Sequence, residues 1–190
     1  MGRLRLLALI TICGFVTIYG AYGCSKGEKD TPKSGAENAP APRGNEAQSS
    51  VVIEGIKSEL AKKPDDPALM QSMGDAYFEN HQYNEALTYY KLALEKKPGD
   101  ATLYNEIGLC LTYLNNPAEG LRYIEEGIKK NPYHQRIWLT KGFILSRLED
   151  DKGSKAALER AVALNPDSDV GRAAAQFLAA DKDAGKGKKK

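Results

Sequence analysis

Four prolines, Pro64, Pro98, Pro132 and Pro166, stand 34 residues apart, and so do the glycines Gly74, Gly108 and Gly142. The chain has nine prolines in 190 residues, so four in strict phase mark an internal repeat rather than scattered turns. A fixed period of that length restricts the fold to stacked copies of one supersecondary unit. The phrases "KKPDDP" at 62–67 and "KKPGDA" at 96–101 then act as punctuation, closing one unit and opening the next.

From residue 51 onward the apolar spacing is helical. Met70, Tyr104 and Trp138 precede the glycines by one turn, and Tyr77, Leu111 and Leu145 follow them. Later in each unit small residues recur at Ala86, Gly120 and Ser154 and again at Ala93, Gly127 and Ala161. Between them stand the large Tyr90, Ile124 and Leu158. Spacings of three and four place each set on one helix face. Small residues opposite large ones let two antiparallel helices approach closely. A glycine inside a helix costs about 1 kcal/mol against alanine, so its recurrence predicts close contact at those places.

The breaks agree with this reading. Asp66–Pro67 and Asn116–Pro117 predict helix N-caps followed by first-turn prolines, and "HQYNE" and "EDDKG" predict turns within units. Lys141 stands where Met73 and Ile107 are apolar, and its ammonium is expected to snorkel to solvent.

These residues resemble the tetratricopeptide repeat, a 34-residue helix–turn–helix family. The resemblance implies an all-α fold, a right-handed α-solenoid of helix hairpins, with three units at 67–100, 101–134 and 135–168. Residues 51–66 read as a leading helix, because Val52, Ile56 and Pro64 stand one period before Ala86, Tyr90 and Pro98. Residues 169–181 carry Val170, Ala173, Ala174, Phe177 and Leu178 on one side and read as a capping helix. Eight helices are expected.

The N-terminus predicts export. "MGRLR" is a short basic start before the apolar run Leu6–Gly23, as in a signal peptide. "AYGCSK" resembles a bacterial lipobox, which implies lipidation of Cys24 after removal of residues 1–23. Tyr22 is bulkier than that pattern's usual residue, and Ala21 replaces its favoured leucine. An uncleaved single-pass anchor is the second reading, and secretion after ordinary cleavage the third. Arg3 and Arg5 keep the N-terminus cytoplasmic in the first two. Ser25 resembles the outer-membrane type of lipoprotein, so the expected location is the bacterial envelope, facing the periplasm, with an inner-membrane anchor as the alternative. Residues 24–50 hold almost nothing large and apolar and predict a disordered tether, spanning roughly 28 Å as a flexible chain.

Charge and cysteine usage narrow the functions. Residues 51–181 carry 16 Lys and Arg against 20 Asp and Glu, a net of −4, whereas the tail 182–190 is net +4. The basic character lies in the ends, so nucleic-acid binding by the folded body is disfavoured, and the lysine tail predicts a solvated, disordered segment. Cys110 is expected as a buried small hydrophobe, with a reactive thiol as the alternative. One such Cys and the distant His81 and His134 build no metal site. Those histidines lie near repeat turns and predict exposed or capping roles. "GKGKKK" follows no strand and is no phosphate loop. No cofactor and no catalytic pairing is proposed, and an enzyme is not expected.

Binding remains. By resemblance to the family, the first helices line a groove through Gln71, Asp75, Phe78 and Glu79 in the first unit. Asn105, Leu109, Thr112 and Tyr113 follow in the second, and Arg136, Leu139, Phe143, Ser146 and Arg147 in the third. Their apolar members either form an exposed strip or pack against neighbouring helices. Chaperone-binding repeats clamp a C-terminal carboxylate with Lys, Asn and Arg. The corresponding places here hold Gln71, Asp75, Glu106, Arg136 and Thr140, so only Arg136 matches and that clamp is not expected. The expected function is a tethered protein-interaction scaffold or adaptor in an envelope assembly, similar in layout to pilotins and lipoprotein adaptors. A self-associating organiser and an accessory subunit of an envelope enzyme are the alternatives.

Overall fold

The computed structural model describes the backbone of residues 44–186 and the side chains of residues 50–180. The apolar N-terminal segment, Cys24 and most of the expected tether lie outside the described residues. Eight helices run in order through the described residues: α1 (Gly44–Lys62), α2 (Pro67–Glu79), α3 (Tyr83–Lys96), α4 (Ala101–Tyr113), α5 (Pro117–Lys130), α6 (Gln135–Arg147), α7 (Asp151–Leu164) and α8 (Asp169–Lys186). The hairpins α2–α3, α4–α5 and α6–α7 coincide with the three 34-residue units. Helix α1 packs on α2, and α8 packs on α7 and α6.

Both end helices are longer than expected. Helix α1 begins at Gly44 rather than at residue 51, because no proline stands between Pro42 and Pro64 and "NEAQ" contains helix formers. Helix α8 runs past 181 to Lys186 through an alanine-rich stretch without proline, so the disordered tail expected from 182 starts too early.

The small-against-large pairing holds each hairpin together. A Cβ added at Gly74 would lie 2.6 Å from the Tyr90 ring, at Gly108 2.8 Å from the Ile124 side chain, and at Gly142 2.6 Å from Leu158. Tyr90 and Ile124 are fully enclosed there and Leu158 nearly so. Each such side chain contributes about 1.5–3 kcal/mol by burial, more than the helix propensity that its glycine gives up. Across the units, Met70, Leu103, Ile107, Cys110 and Leu111 join Tyr90 in one core cluster. Ile124, Ile137 and Ile144 form the next, and Leu158, Ala161 and Ala174 close the stack.

The prolines have a second use. The Tyr104 hydroxyl donates to the Pro98 carbonyl at 3.3 Å, and Trp138 Nε1 donates to the Pro132 carbonyl at 2.8 Å. The two bonds sit one period apart. Each ties the first helix of a unit to the turn before it.

Asp66 caps α2 by accepting from the Ala68 amide at 2.9 Å, and Asp100 and Asp150 cap α4 and α7 in the same way. Asn116 does not cap α5. Its side-chain nitrogen donates to Glu119 at 2.7 Å instead. Within every unit the turn repeats one geometry: His81, Asn115 and Glu149 have φ of 60, 62 and 62°. Gln82, Asn116 and Asp150 then donate back to Tyr77, Leu111 and Leu145 at 2.8–2.9 Å, which is the Schellman closure of a helix. Lys141 reaches Glu125 on α5 at 3.3 Å and lies over the Trp138 ring, so its ammonium bridges two units rather than standing free in solvent. Phe177 is 47% exposed and does not join the capping face as expected. It sits about 60° round the helix from Ala174 at 3.6 residues per turn, at the rim of the buried line Gly171–Ala174–Leu178.

The interlock glycines and the left-handed turn positions respond oppositely to substitution. Gly108→Ala gains about 1 kcal/mol of helix propensity but overfills the Ile124 contact at a cost of about 1–3 kcal/mol. Urea unfolding is expected to show a net loss of up to about 2 kcal/mol, and a raised midpoint would contradict the interlock. Glu149→Gly removes a non-glycine residue from a left-handed conformation that costs about 1–2 kcal/mol. It is expected to raise stability by about 0.5–1 kcal/mol after the entropy cost of glycine.

A third response is set by His134, which is half-buried at the start of α6 and makes no capping bond, with Nε2 3.3 Å from the Thr102 hydroxyl. Burial holds its imidazole below the ordinary range. Its own backbone hydrogen bond and Asp100 act against burial, and Arg136 acts with it. The folded state therefore binds fewer protons than the unfolded chain. Nothing is lost above about pH 6.5, and stability falls as the pH drops from there through the folded-state value. Unfolding midpoints at about pH 7.5 and about pH 5.5 should show a larger acid loss in the natural chain than in His134→Gln.

Candidate functional site

Of the expected groove residues, α2 places Asp75 and Glu79 in solvent, with Gln71 and Phe78 partly buried. Helix α4 exposes Tyr113 to 36% and leaves Leu109 partly buried. Helix α6 exposes Arg136, Ser146 and Arg147 and half-covers Phe143. Three expected members are taken by packing. Thr112 is fully buried, donates to the Gly108 carbonyl at 2.7 Å and fills the space above Gly120 on α5. Asn105 is fully buried beside Glu106. Leu139 packs into the closing cluster with Leu158 and Leu178, because α8 lies across that part of α6.

What the structure brings together is an aromatic ladder at the C-terminal ends of the three first helices. Phe78 meets Tyr113 edge-on at 5.7 Å, and Tyr113 meets Phe143 at 6.2 Å. Tyr83, at the start of α3, stacks on Tyr113 at 4.8 Å and meets Phe78 at 5.3 Å. His81 Nδ1 and the Tyr83 hydroxyl are 2.9 Å apart, and the Arg147 guanidinium lies over Phe143 at 6.0 Å. The rings thus link all three units along one line. Ring pairs of this geometry add about 0.5–1.5 kcal/mol each beyond area burial.

Sequence reasoning missed Tyr83, which belongs to a second helix and was read only as part of the turn "HQYNE". The available signal was its place two residues after His81, where the Schellman turn swings α3 back beside the end of α2.

Acid lies past the midpoint of α2, at Asp75, and near the middle of α4, at Glu106. The Tyr90 hydroxyl donates to Asp75 Oδ1 at 2.7 Å, joining the exposed carboxylate to the core. Asn105 Nδ2 donates to Glu106 Oε1 at 3.1 Å. Burial raises the Glu106 carboxyl above its ordinary range; the Asn105 bond and the Arg136 charge offset part of this, and Asp75 adds to it. Burial, followed by Glu106 and Asp75, pushes the Cys110 thiol up to about 12. Cys110 is fully buried, so the small-hydrophobe reading holds and the thiol is inert. A separate surface recess, lined by Tyr104, Tyr123, Arg122 and three glutamates, lies on α4 and α5 and contains no groove residue.

Two tetratricopeptide-repeat family patterns match the sequence, one over residues 67–100 and one over residues 135–168. The hairpin between them repeats the same contacts in phase. No curated protein sequence matches the chain. Among solved structures, MamA is similar at 14% identity, covering 76% of this chain and 94% of its own, with a TM-score of 0.59. The Arabidopsis OM64 TPR domain is similar at 19% identity over 60% of this chain and 95% of its own, TM-score 0.55. The first TPR of Spaghetti (RPAP3), bound to an HSP90 peptide, is similar at 20% identity over 60% and 93%, TM-score 0.52. At these identities the likeness is one of fold. The chain carries a tetratricopeptide-repeat domain, the all-α helix-hairpin solenoid of a protein-interaction scaffold.

Proposed function

We propose that the domain is a tethered adaptor of a bacterial envelope assembly, holding a peptide or helix of a partner protein across α2, α4 and α6. The aromatic ladder carries this reading. Phe78, Tyr113 and Phe143 come from three successive units, meet each other, and remain partly open to solvent beside the charged Asp75, Glu79 and Arg147. An apolar strip flanked by charge suits a segment with one apolar face. Among the described residues no helix is long and apolar enough to cross a membrane. The membrane reading therefore rests on the N-terminal sequence: lipidation at Cys24 or an uncleaved Leu6–Gly23 segment, and an outer- or inner-membrane site accordingly.

The RPAP3 domain shows that a fold of this kind accommodates a short peptide, there SRMEEVD. Asp75 and Glu106 would repel so acidic a ligand in this chain, and Thr140 is buried, which supports a different occupant. Self-association is the second reading. Val51, 72% exposed on α1, and Phe177 on α8 leave apolar surface at both ends of the stack.

Site-specific photocrosslinking in the native host separates the two. With the crosslinker replacing Phe143, and a control at exposed Lys129, a discrete envelope protein captured only from position 143 is expected. Self-crosslinks alone would favour end-to-end association, and equal capture from both positions would remove the groove.

A further inference from the structure

We infer that the α2–α4 part of this groove is a receptor for a cation: the partner segment seats a lysine or arginine side chain against Asp75 and Glu106 and lays an apolar side chain, one helical turn away, on the Phe78–Tyr113–Phe143 rings. This rests on the groove reading above and adds the chemistry of the occupant.

Asp75 and Phe78 are three residues apart on α2, so the acid and the ladder lie on one helix face. Among the described residues, no ion pair reaches Asp75, Glu79 or Glu106; exposed acids such as Glu85, Glu95 and Asp151 also lack one, but Glu106 lacks it while partly buried. Tyr90 engages one oxygen of Asp75 as a donor without neutralising its charge. Arg136 acts on Glu106 from α6 but lies beyond ion-pair distance of it.

The second observation is Asn105. Its side chain is fully buried, its Nδ2 is directed at Glu106 Oε1, and its Oδ1 has no hydrogen-bond donor. Leaving a buried acceptor unpaired costs about 1–3 kcal/mol, and this one is unpaired beside the acid pair. The donor-free Oδ1 adds an uncompensated negative dipole end beside the acids, and an ammonium or guanidinium supplies the positive charge that all three groups lack. A carboxylate adds to their repulsion. Burial already disfavours the ionised Glu106, so an incoming cation also restores the form that burial opposes.

The test uses the full chain in phosphatidylcholine nanodiscs and two fluorescein-labelled, amidated 12-residue peptides. In both, leucine and phenylalanine recur every three or four residues; the remaining positions are lysine in one and glutamate in its twin. By fluorescence anisotropy the lysine peptide is expected to bind at least about tenfold more tightly. Asp75→Asn with Glu106→Gln, checked for retained helicity by circular dichroism, should reduce that ratio to below about threefold. Equal binding of the twins, preference for glutamate, a ratio unchanged in the double variant, or no binding of either peptide would each overturn the cation assignment. Equal binding that Tyr113→Ala with Phe143→Ala abolishes would overturn it while leaving the groove in place. Crosslinking that finds no partner from position 143 would remove the groove itself.

Discussion

Everything in this domain depends on three helix backbones being allowed to touch three large side chains. Gly74, Gly108 and Gly142 each leave the space that Tyr90, Ile124 and Leu158 fill. On α4–α5 a second glycine deepens the contact, since a Cβ at Gly120 would lie 2.6 Å from the Gly108 carbonyl. Protein interiors are close-packed, and a methyl group is felt. With the interhelix distance set in every unit, the first helices fall into register, and residues separated by about one period can meet across units.

The ladder is a consequence of that register. Phe78 and Tyr113 are 35 residues apart and Tyr113 and Phe143 are 30, so the rings do not occupy one repeat position. They meet because the Schellman turns bring the last turn of each first helix to the same end of the stack. Those turns use His81, Asn115 and Glu149, residues that adopt positive φ with strain in two of the three cases. The strain is tolerated because the turn carbonyls and amides are otherwise satisfied within each unit.

The fold was legible because its signals are periodic. Proline, glycine and the large residues opposite the glycines repeat every 34 residues, and the same pairs are found in contact. The Schellman turns were less legible, since none carries the glycine that usually marks a left-handed cap. Groove membership was legible only in part. Family position placed Asn105, Thr112 and Leu139 on the open face, but each meets something that the repeat pattern does not encode. Thr112 fills the gap left by an extra glycine at 120, and Leu139 is covered by a helix that belongs to no repeat. Tyr83 escaped notice for the opposite reason: second helices are not assigned to the groove, yet this one begins beside it.

These departures shrink the open surface and give it direction. With Leu139 under α8, the exposed groove residues of the third unit are reduced to Arg136, Ser146, Arg147 and the edge of Phe143, and Thr112 is lost from the second. The first two units keep Asp75, Glu79 and Tyr113. A short segment, rather than one that follows the whole stack, matches such a footprint. The rings it would meet are already held against one another, so little side-chain freedom remains to be lost on binding. The acids beside them are anchored differently: Asp75 through Tyr90 to the core of its own hairpin, and Glu106 through Asn105 within α4. Affinity from the ladder and orientation from the acids then come from separate groups, and a segment inserted backwards would face Arg147 with its cation and the acid pair with nothing.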